Sequence, residues 1–264
     1  MIAHMSQPTA ALLGAVAGFT IFIGLPVARL RGLPKRLQGF LNALATGILV
    51  FLLWDILQHA GDPVQSALLR HEWGGFALLA ALFAGGVAIG LLALVYFNAA
   101  ILSRLTNSSP GTPSPQALSM MIATGLGLHN FSEGLAIGQS AAAGAVAFAG
   151  VLVVGFALHN ITEGFGIAAP MTLNSARVSW GFLGLTGLIG GGPTFLGTVI
   201  GYVATNDAVG VLFLALAAGA LVYVLNELFA LGKRLNTPAM MAWGVLCGFL
   251  AAYATDLFLT ALAG

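Results

Sequence analysis

Two segments thirty residues apart carry the same polar sequence inside otherwise apolar stretches. They read Leu128-His129-Asn130-Phe131-Ser132-Glu133-Gly134 and Leu158-His159-Asn160-Ile161-Thr162-Glu163-Gly164, each H-N-x-[ST]-E-G. A carboxylate at bilayer depth costs roughly 2.5–3.5 kcal/mol on insertion scales unless something compensates it. Two Glu, two His and two Asn at that depth need partners. A divalent metal ion is the simplest partner that carboxylates and imidazoles share.

On a helix, residues four apart share a face, so His129 projects with Glu133 and His159 with Glu163. Asn130 and Asn160 follow about 100° round, each within a turn of its Glu. Two carboxylates and two neutral imidazoles sum to −2, which one divalent cation cancels. Two nitrogens and two oxygens suit tetrahedral zinc and would also accept cadmium, iron(II), cobalt or manganese. Without thiolate such a site binds more weakly than a structural zinc centre, which suits cargo that must leave again. The other reading is that these residues pair across helices and only fasten the bundle.

The elements that must position them are membrane spans. Of the 264 residues, 59% are hydrophobic and 6% charged, and the mean hydropathy is +0.98. A soluble domain carries about 25% charged residues. The chain therefore reads as one all-α, polytopic membrane helix bundle over residues 1–264. Apolar runs of spanning length, about 20 residues, fall at 10–28, 37–60, 74–102, 117–138, 143–168, 178–203, 208–231 and 238–262, which makes eight transmembrane helices. Breaks are marked by Arg31-Gly32-Leu33-Pro34, Gly61-Asp62-Pro63, Asn107-Ser108-Ser109-Pro110-Gly111, Pro170, Asn206-Asp207 and Asn236-Thr237-Pro238. An Ala/Gly hairpin in 139–145 joins the fourth and fifth spans.

Basic residues set the orientation. Arg29, Arg31, Lys35, Arg36, Arg104, Arg177, Lys233 and Arg234 fall in odd-numbered loops, and only Arg70 falls in an even one. Both termini are expected outside, with the odd loops in the cytoplasm. The first span is followed rather than preceded by its basic cluster, which is the wrong order for a cleaved signal. The expected location is a cell membrane, multi-pass, and the inner membrane in a bacterium. The net charge of +1 and the lack of a basic patch give no sign of nucleic-acid binding. The polar linker Ser103 to Pro115 holds no His or Cys, so it is not expected to buffer metal. The lone Cys247 reads as a small core residue.

With eight spans, both ends outside, and H-N-x-x-E-G in spans four and five, the chain resembles the ZIP (Zrt/Irt-like) family of divalent metal transporters. It is most similar to the bacterial branch that carries H-N-F-P-E-G and H-N-I-P-E-G. The topology covers the whole chain; the sequence likeness is specific over residues 127–138 and 157–168. The resemblance implies a metal site midway across the membrane, built by His129, Asn130, Glu133, His159, Asn160 and Glu163, and metal movement into the cytoplasm. Ser132 and Thr162 stand where the family has Pro. Straighter helices are expected, since Ser and Thr bend a helix less by bonding back to the previous turn. Some relatives place an acid in span six and in place of Asn160. Span six here reads Leu188-Ile189-Gly190-Gly191-Gly192-Pro193, so one principal metal site is expected.

Further polar residues fall in the spans. Asp55 and His59, four apart near the outer end of span two, read as a station at the way in, Asp55 lying deeper, or as a solvated helix end, since Asp62 follows closely. Glu227, after Asn226 near the inner end of span seven, reads as an exit station or a partner for Lys233 or Arg234. Asp256 and Tyr253 read as a helix-to-helix hydrogen bond, Asn98 as a structural amide, and His4 and His71 as surface residues. Gly181, Gly184, Gly187 and Gly190, and Gly197 with Gly201, predict close or sliding helix contacts. Gly134 and Gly164 read as close-packing positions. The run 190–193 predicts a weakened, hinge-like sixth helix. Glycine-rich faces would admit a homodimer.

The leading function is transport of a divalent metal, with the lipid bilayer and the ion as partners and no enzymatic activity. No nucleotide-binding motif is present. One alternative is a membrane-embedded zinc metallohydrolase, although H-E-x-x-H is absent and each helix carries one His and one Glu. The other is a structural or proton-conducting bundle.

Overall fold

A computed structural model describes residues 5–30, 32–97, 113–173, 177–204 and 206–263. His4, Arg31, Asn98, Arg104 and the linker as far as Thr112 lie outside the described residues. Among the described residues eight long helices follow one another: α1 (Gln7–Phe19, continued by the turns Ile21–Gly24 and Leu25–Arg29), α2 (Lys35–Leu69), α3 (Trp73–Phe97), α4 (Pro115–Ala142), α5 (Val146–Ala168, continued by Ala169–Leu173), α6 (Trp180–Val203), α7 (Asp207–Leu235) and α8 (Pro238–Ala263). The described residues contain no strand.

The polar breaks in the sequence set the helix ends. Ser114 accepts from the Ala117 amide at 3.1 Å, with Pro115 opening α4. Ser179 and Asn206 cap α6 and α7 in the same way, at 3.1 and 2.8 Å. The hairpin between α4 and α5 turns at Gly144, φ 77°. There the Ala145 amide donates to Ser140 O and the Gly144 amide to Ala141 O, a glycine-closed helix end.

Seven of these helices, all except α4, are long and apolar enough to cross a membrane. The chain is a multi-pass membrane bundle on that basis. Helix α4 has 28 residues, ample length, but His129, Asn130, Ser132 and Glu133 dilute its apolar character. One expected break is absent. Helix α2 runs on through Gly61-Asp62-Pro63 to Leu69. Pro63 removes one helical bond near an exposed end, where water can satisfy the freed carbonyl. Helix α6 is continuous through Gly190-Gly191-Gly192-Pro193. Its neighbours hold it: Gly191 lies against Gly18 of α1, and Gly127 of α4 covers the Ile189 carbonyl, which Pro193 cannot bond.

Packing divides the helices into two groups of four. One holds α1, α4, α5 and α6; the other holds α2, α3, α7 and α8. The most extensive pairings are α4 with α6, α2 with α8, and α3 with α7, all within a group. Glycine decides how closely each pair approaches. A Cβ on Gly134 would stand 2.2 Å from Thr194 O, one on Gly164 2.0 Å from Ile21 O, and one on Gly197 2.1 Å from Phe131 O. In the other group a Cβ on Gly47 would stand 2.1 Å from Val245 O and one on Gly219 2.1 Å from Val87 O. Such backbone-on-backbone contact is how helices associate in lipid, where apolar burial drives little. Gly187 and Gly190 instead make room for side chains, Phe22 and Leu25 at the first and Ile21 and Ile167 at the second, whereas Gly181 and Gly184 have open space.

Across the seam the picture differs. A Cβ on Gly125 (α4) would meet the Ala220 methyl of α7 at 3.3 Å, and one on Gly166 (α5) the Leu49 Cδ2 of α2 at 4.0 Å. Apolar side chains fill the rest of this seam, including Leu49, Leu52, Leu126, Ile167, Leu221 and Val224. Cys247 is exposed on α8 rather than in the core, because α8 turns most of its surface outward.

The two kinds of glycine predict opposite mutational outcomes. Gly134→Ala must push α4 off the α6 backbone and should cost about 1–3 kcal/mol, the range for overpacking. Gly166→Ala should be neutral or stabilising, because its Cβ has room and alanine favours helix. Unfolding of the purified protein in mixed micelles measures both; equal losses would show that glycine packing does not separate the two groups.

Candidate metal centre

The two motifs come together in the interior of the bundle. His129 and Glu133 project from α4, and His159 and Glu163 from α5. Ligand atoms of His129, Glu133 and His159 lie within 4.8 Å of one another. His129 Nε2 is 3.2 Å from Glu133 Oε1, and His159 Nε2 is 3.8 Å from Glu163 Oε1. The imidazole rings are 6.0 Å apart, centre to centre. Their exposure is 5% for His129, 6% for Glu133, 7% for His159 and 0% for Glu163.

The polar atoms here are poorly satisfied by protein. Both ring nitrogens of His129, Glu133 Oε2, His159 Nε2 and Glu163 Oε1 are buried without a hydrogen-bond partner. Buried polar groups in native proteins are nearly always paired, so a cluster of orphans calls for an explanation. Imidazole nitrogens and carboxylate oxygens converging within coordination reach are what a divalent cation would collect. Sequence spacing placed each pair on one helix face; the antiparallel α4–α5 hairpin brings the faces together.

Asn130 and Asn160 do something else in this arrangement. The Asn130 amide nitrogen lies 2.7 Å from Asn160 Oδ1, 2.7 Å from Glu163 Oε2 and 3.0 Å from Gly190 O, and its two hydrogens are shared among them. The Asn160 amide nitrogen donates to Ala17 O at 3.2 Å and Phe156 O at 2.8 Å. Both residues are fully buried. The pair thus ties α4, α5, α6 and α1 to one another. Asn130 Oδ1 is left without a partner and remains open to a ligand.

A cavity of about 510 Å³ reaches the centre. Its walls include Asp55 and His59 of α2, Ser132 and Glu133 of α4, His159 of α5 and Asp256 of α8. His59 Nδ1 lies 3.0 Å from Asp55 O and 3.3 Å from its carboxylate. No Lys or Arg is among the lining residues, so three carboxylates face the space and favour cations. Asp256, expected to hydrogen-bond to another helix, lines this cavity instead. Tyr253 instead stacks near Phe51 and Phe249. Ser132 was read only as a substitute for proline; its buried hydroxyl has no partner and lines the cavity. Thr162 does bond back to its own helix, at His159 O, 2.7 Å away. Glu227 is elsewhere, in a hollow with Arg234, Pro113 and Pro115 between α7 and the start of α4.

No protein-family model matches the chain, and no curated protein matches it. The site therefore rests on its own geometry.

The geometry separates ligands from fasteners. Glu133→Gln removes an anionic donor, and zinc affinity measured by calorimetry should fall at least tenfold with unfolding stability little changed. Asn130→Ala leaves Asn160 Oδ1, Glu163 Oε2 and Gly190 O without this donor. It should cost about 1–3 kcal/mol of stability. The reverse pattern would exchange the two roles.

Proposed function

We propose that the protein is a ZIP-like transporter that carries a divalent metal ion, zinc foremost, into the cytoplasm. In this reading all eight long helices span the membrane, α4 shielded by its neighbours, with both termini outside. The observation that carries it is the cluster of unpartnered His and Glu atoms at the inner reach of a cavity lined with carboxylates. The cavity's mouth residues, Asp55, His59 and Asp256, lie toward the ends of α2 and α8 remote from Lys35, Arg36, Lys233 and Arg234. By the positive-inside rule that end is the outer one.

The ion is drawn in by Asp55 and Asp256 and sheds water as His129, Glu133 and His159 replace it. Glu163 completes the set through Oε1. Each ligand must be deprotonated to bind, so a proton reaching His or Glu from the inner side loosens the ion. Release inward requires the cavity to close outside and open inside. The seam between the two helix groups supports such a movement, since no backbone-on-backbone glycine contact crosses it among the described residues. Span six supplies no acid, and one ion at a time is the expected occupancy.

Zinc uptake into proteoliposomes tests the reading. Wild type should show saturable uptake, and His129→Ala and Glu163→Ala should each lower it at least tenfold. Uptake unchanged in both variants would move the path away from this centre. A folded wild type inert toward zinc, cadmium, iron(II) and manganese would overturn transport itself.

A further inference from the structure

An apolar groove lies on the outside of the bundle, lined by none of the residues of the cavity that holds His129 and His159. Helices α7 and α8 are joined by a tight turn at Asn236, φ 52°, yet α8 leans on α2 rather than on α7. The space left between them is a groove of about 710 Å³. Phe229, Met241, Val245, Leu246 and Phe249 give it apolar walls, and Gly232, against which Met241 packs, sits in it. A second hollow of about 370 Å³, lined by Val50, Trp54, Phe249 and Tyr253, continues from the same Phe249. From Thr237 to Tyr253 the α8 side of this path is roughly 24 Å long at about 1.5 Å per residue. Half of the bilayer's hydrocarbon is about 15 Å thick, so one leaflet's acyl chain fits within it.

One end of the path is charged and the other is not. Lys233 and Asn236 line its head. A Cβ on Gly39 would touch Thr237 Oγ1 at 2.2 Å, which puts the first turn of α2, with Lys35 and Arg36, beside the same end. Both of those side chains are exposed. Three cations at the head of an apolar channel that opens sideways match a lipid with a negative headgroup. A free anion would leave the channel empty, and a neutral lipid would leave the cations unmatched.

We propose that the groove between α7 and α8 holds one acyl chain of an anionic glycerophospholipid whose phosphate sits at Lys233. The chain passes Phe249, which packs on Phe51 in a cluster that Phe165 of α5 also joins. The lipid therefore touches a cluster to which α8 and a helix of the other group both contribute. This site does not depend on what the metal centre transports.

Native mass spectrometry of the intact protein in detergent tests the site, with phosphatidylglycerol and phosphatidylcholine of identical chains as probes. Phosphatidylglycerol should be retained at one copy per chain, at least fivefold over phosphatidylcholine. Lys233→Glu should remove that preference, and Ala242→Trp, which fills the groove from an exposed position, should remove retention itself. Soluble glycerol phosphate should not compete. Equal retention of the two lipids, retention unaltered in both variants, or displacement by glycerol phosphate would each overturn the proposal. Zinc binding measured on the same variants should stay within twofold of wild type, which shows that they are folded and keeps this test apart from that of the metal centre.

Discussion

Nothing in the hydrocarbon can satisfy a polar group that the protein leaves bare, and that constraint sorts every polar side chain in this bundle. The two asparagines meet it by bonding to one another, to Glu163 and to backbone carbonyls of α1, α5 and α6. Four helices are thereby fastened at one depth by two side chains. The histidines and carboxylates beside them are not so served, and several of their atoms face one another unbonded. A buried network that is partly satisfied is costlier than an apolar core. The half-satisfied half is therefore the part that a bound cation would complete.

Glycine supplies the second level of organisation. Inside each group of four helices, glycines admit neighbouring backbones to distances that no side chain would allow, as at Gly18 with Gly191 and Gly90 with Leu216. Contacts of that kind lock depth and rotation together. Between the groups the surfaces are methyl and isobutyl ends of Leu, Ile and Val, which can be exchanged for similar neighbours at small cost. The buried His and Glu residues sit in one group, on α4 and α5, while Asp55 and Asp256 of the other line the same cavity. Relative displacement of the groups would change the distance between ligands and mouth without unmaking either.

How much of this was legible in the sequence follows from what is local. The H-N-x-[ST]-E-G spacing places His and Glu on one helical face whatever surrounds them, and Ser114, Ser179 and Asn206 cap helices through neighbours two or three residues away. The starts of α4, α6 and α7 and the paired motif could be read for the same reason. Residues whose role depends on a distant helix could not. Gly190 to Pro193 reads as a hinge in isolation and lies within an unbroken helix packed on α1 and α4. Pro63 reads as a break and falls where a lost hydrogen bond is harmless. Asp256 gives no sign that it faces a cavity shared with α2 and α4, since nothing within a turn of it is polar except Thr255 and Tyr253. The asparagines look like ligands because they neighbour the histidines, and only the positions of Gly190 and Ala17 show them fastening helices.

Glu163 shows how the fastening and the chemistry meet. One of its oxygens accepts from Asn130, while the other lies unpartnered 3.8 Å from His159 Nε2. The carboxylate can therefore turn no more than its hydrogen bond permits, and its free oxygen stays aimed toward the histidine. A supporting partner of this kind commonly fixes ligand orientation in metal sites and strengthens binding. Glu133 has no such amide; it lies against the cavity and is free to follow an arriving ion. The two carboxylates thus begin from the same motif and differ through their surroundings. The one on the cavity wall suits capture, and the one held by Asn130 suits a fixed point against which the captured ion is positioned.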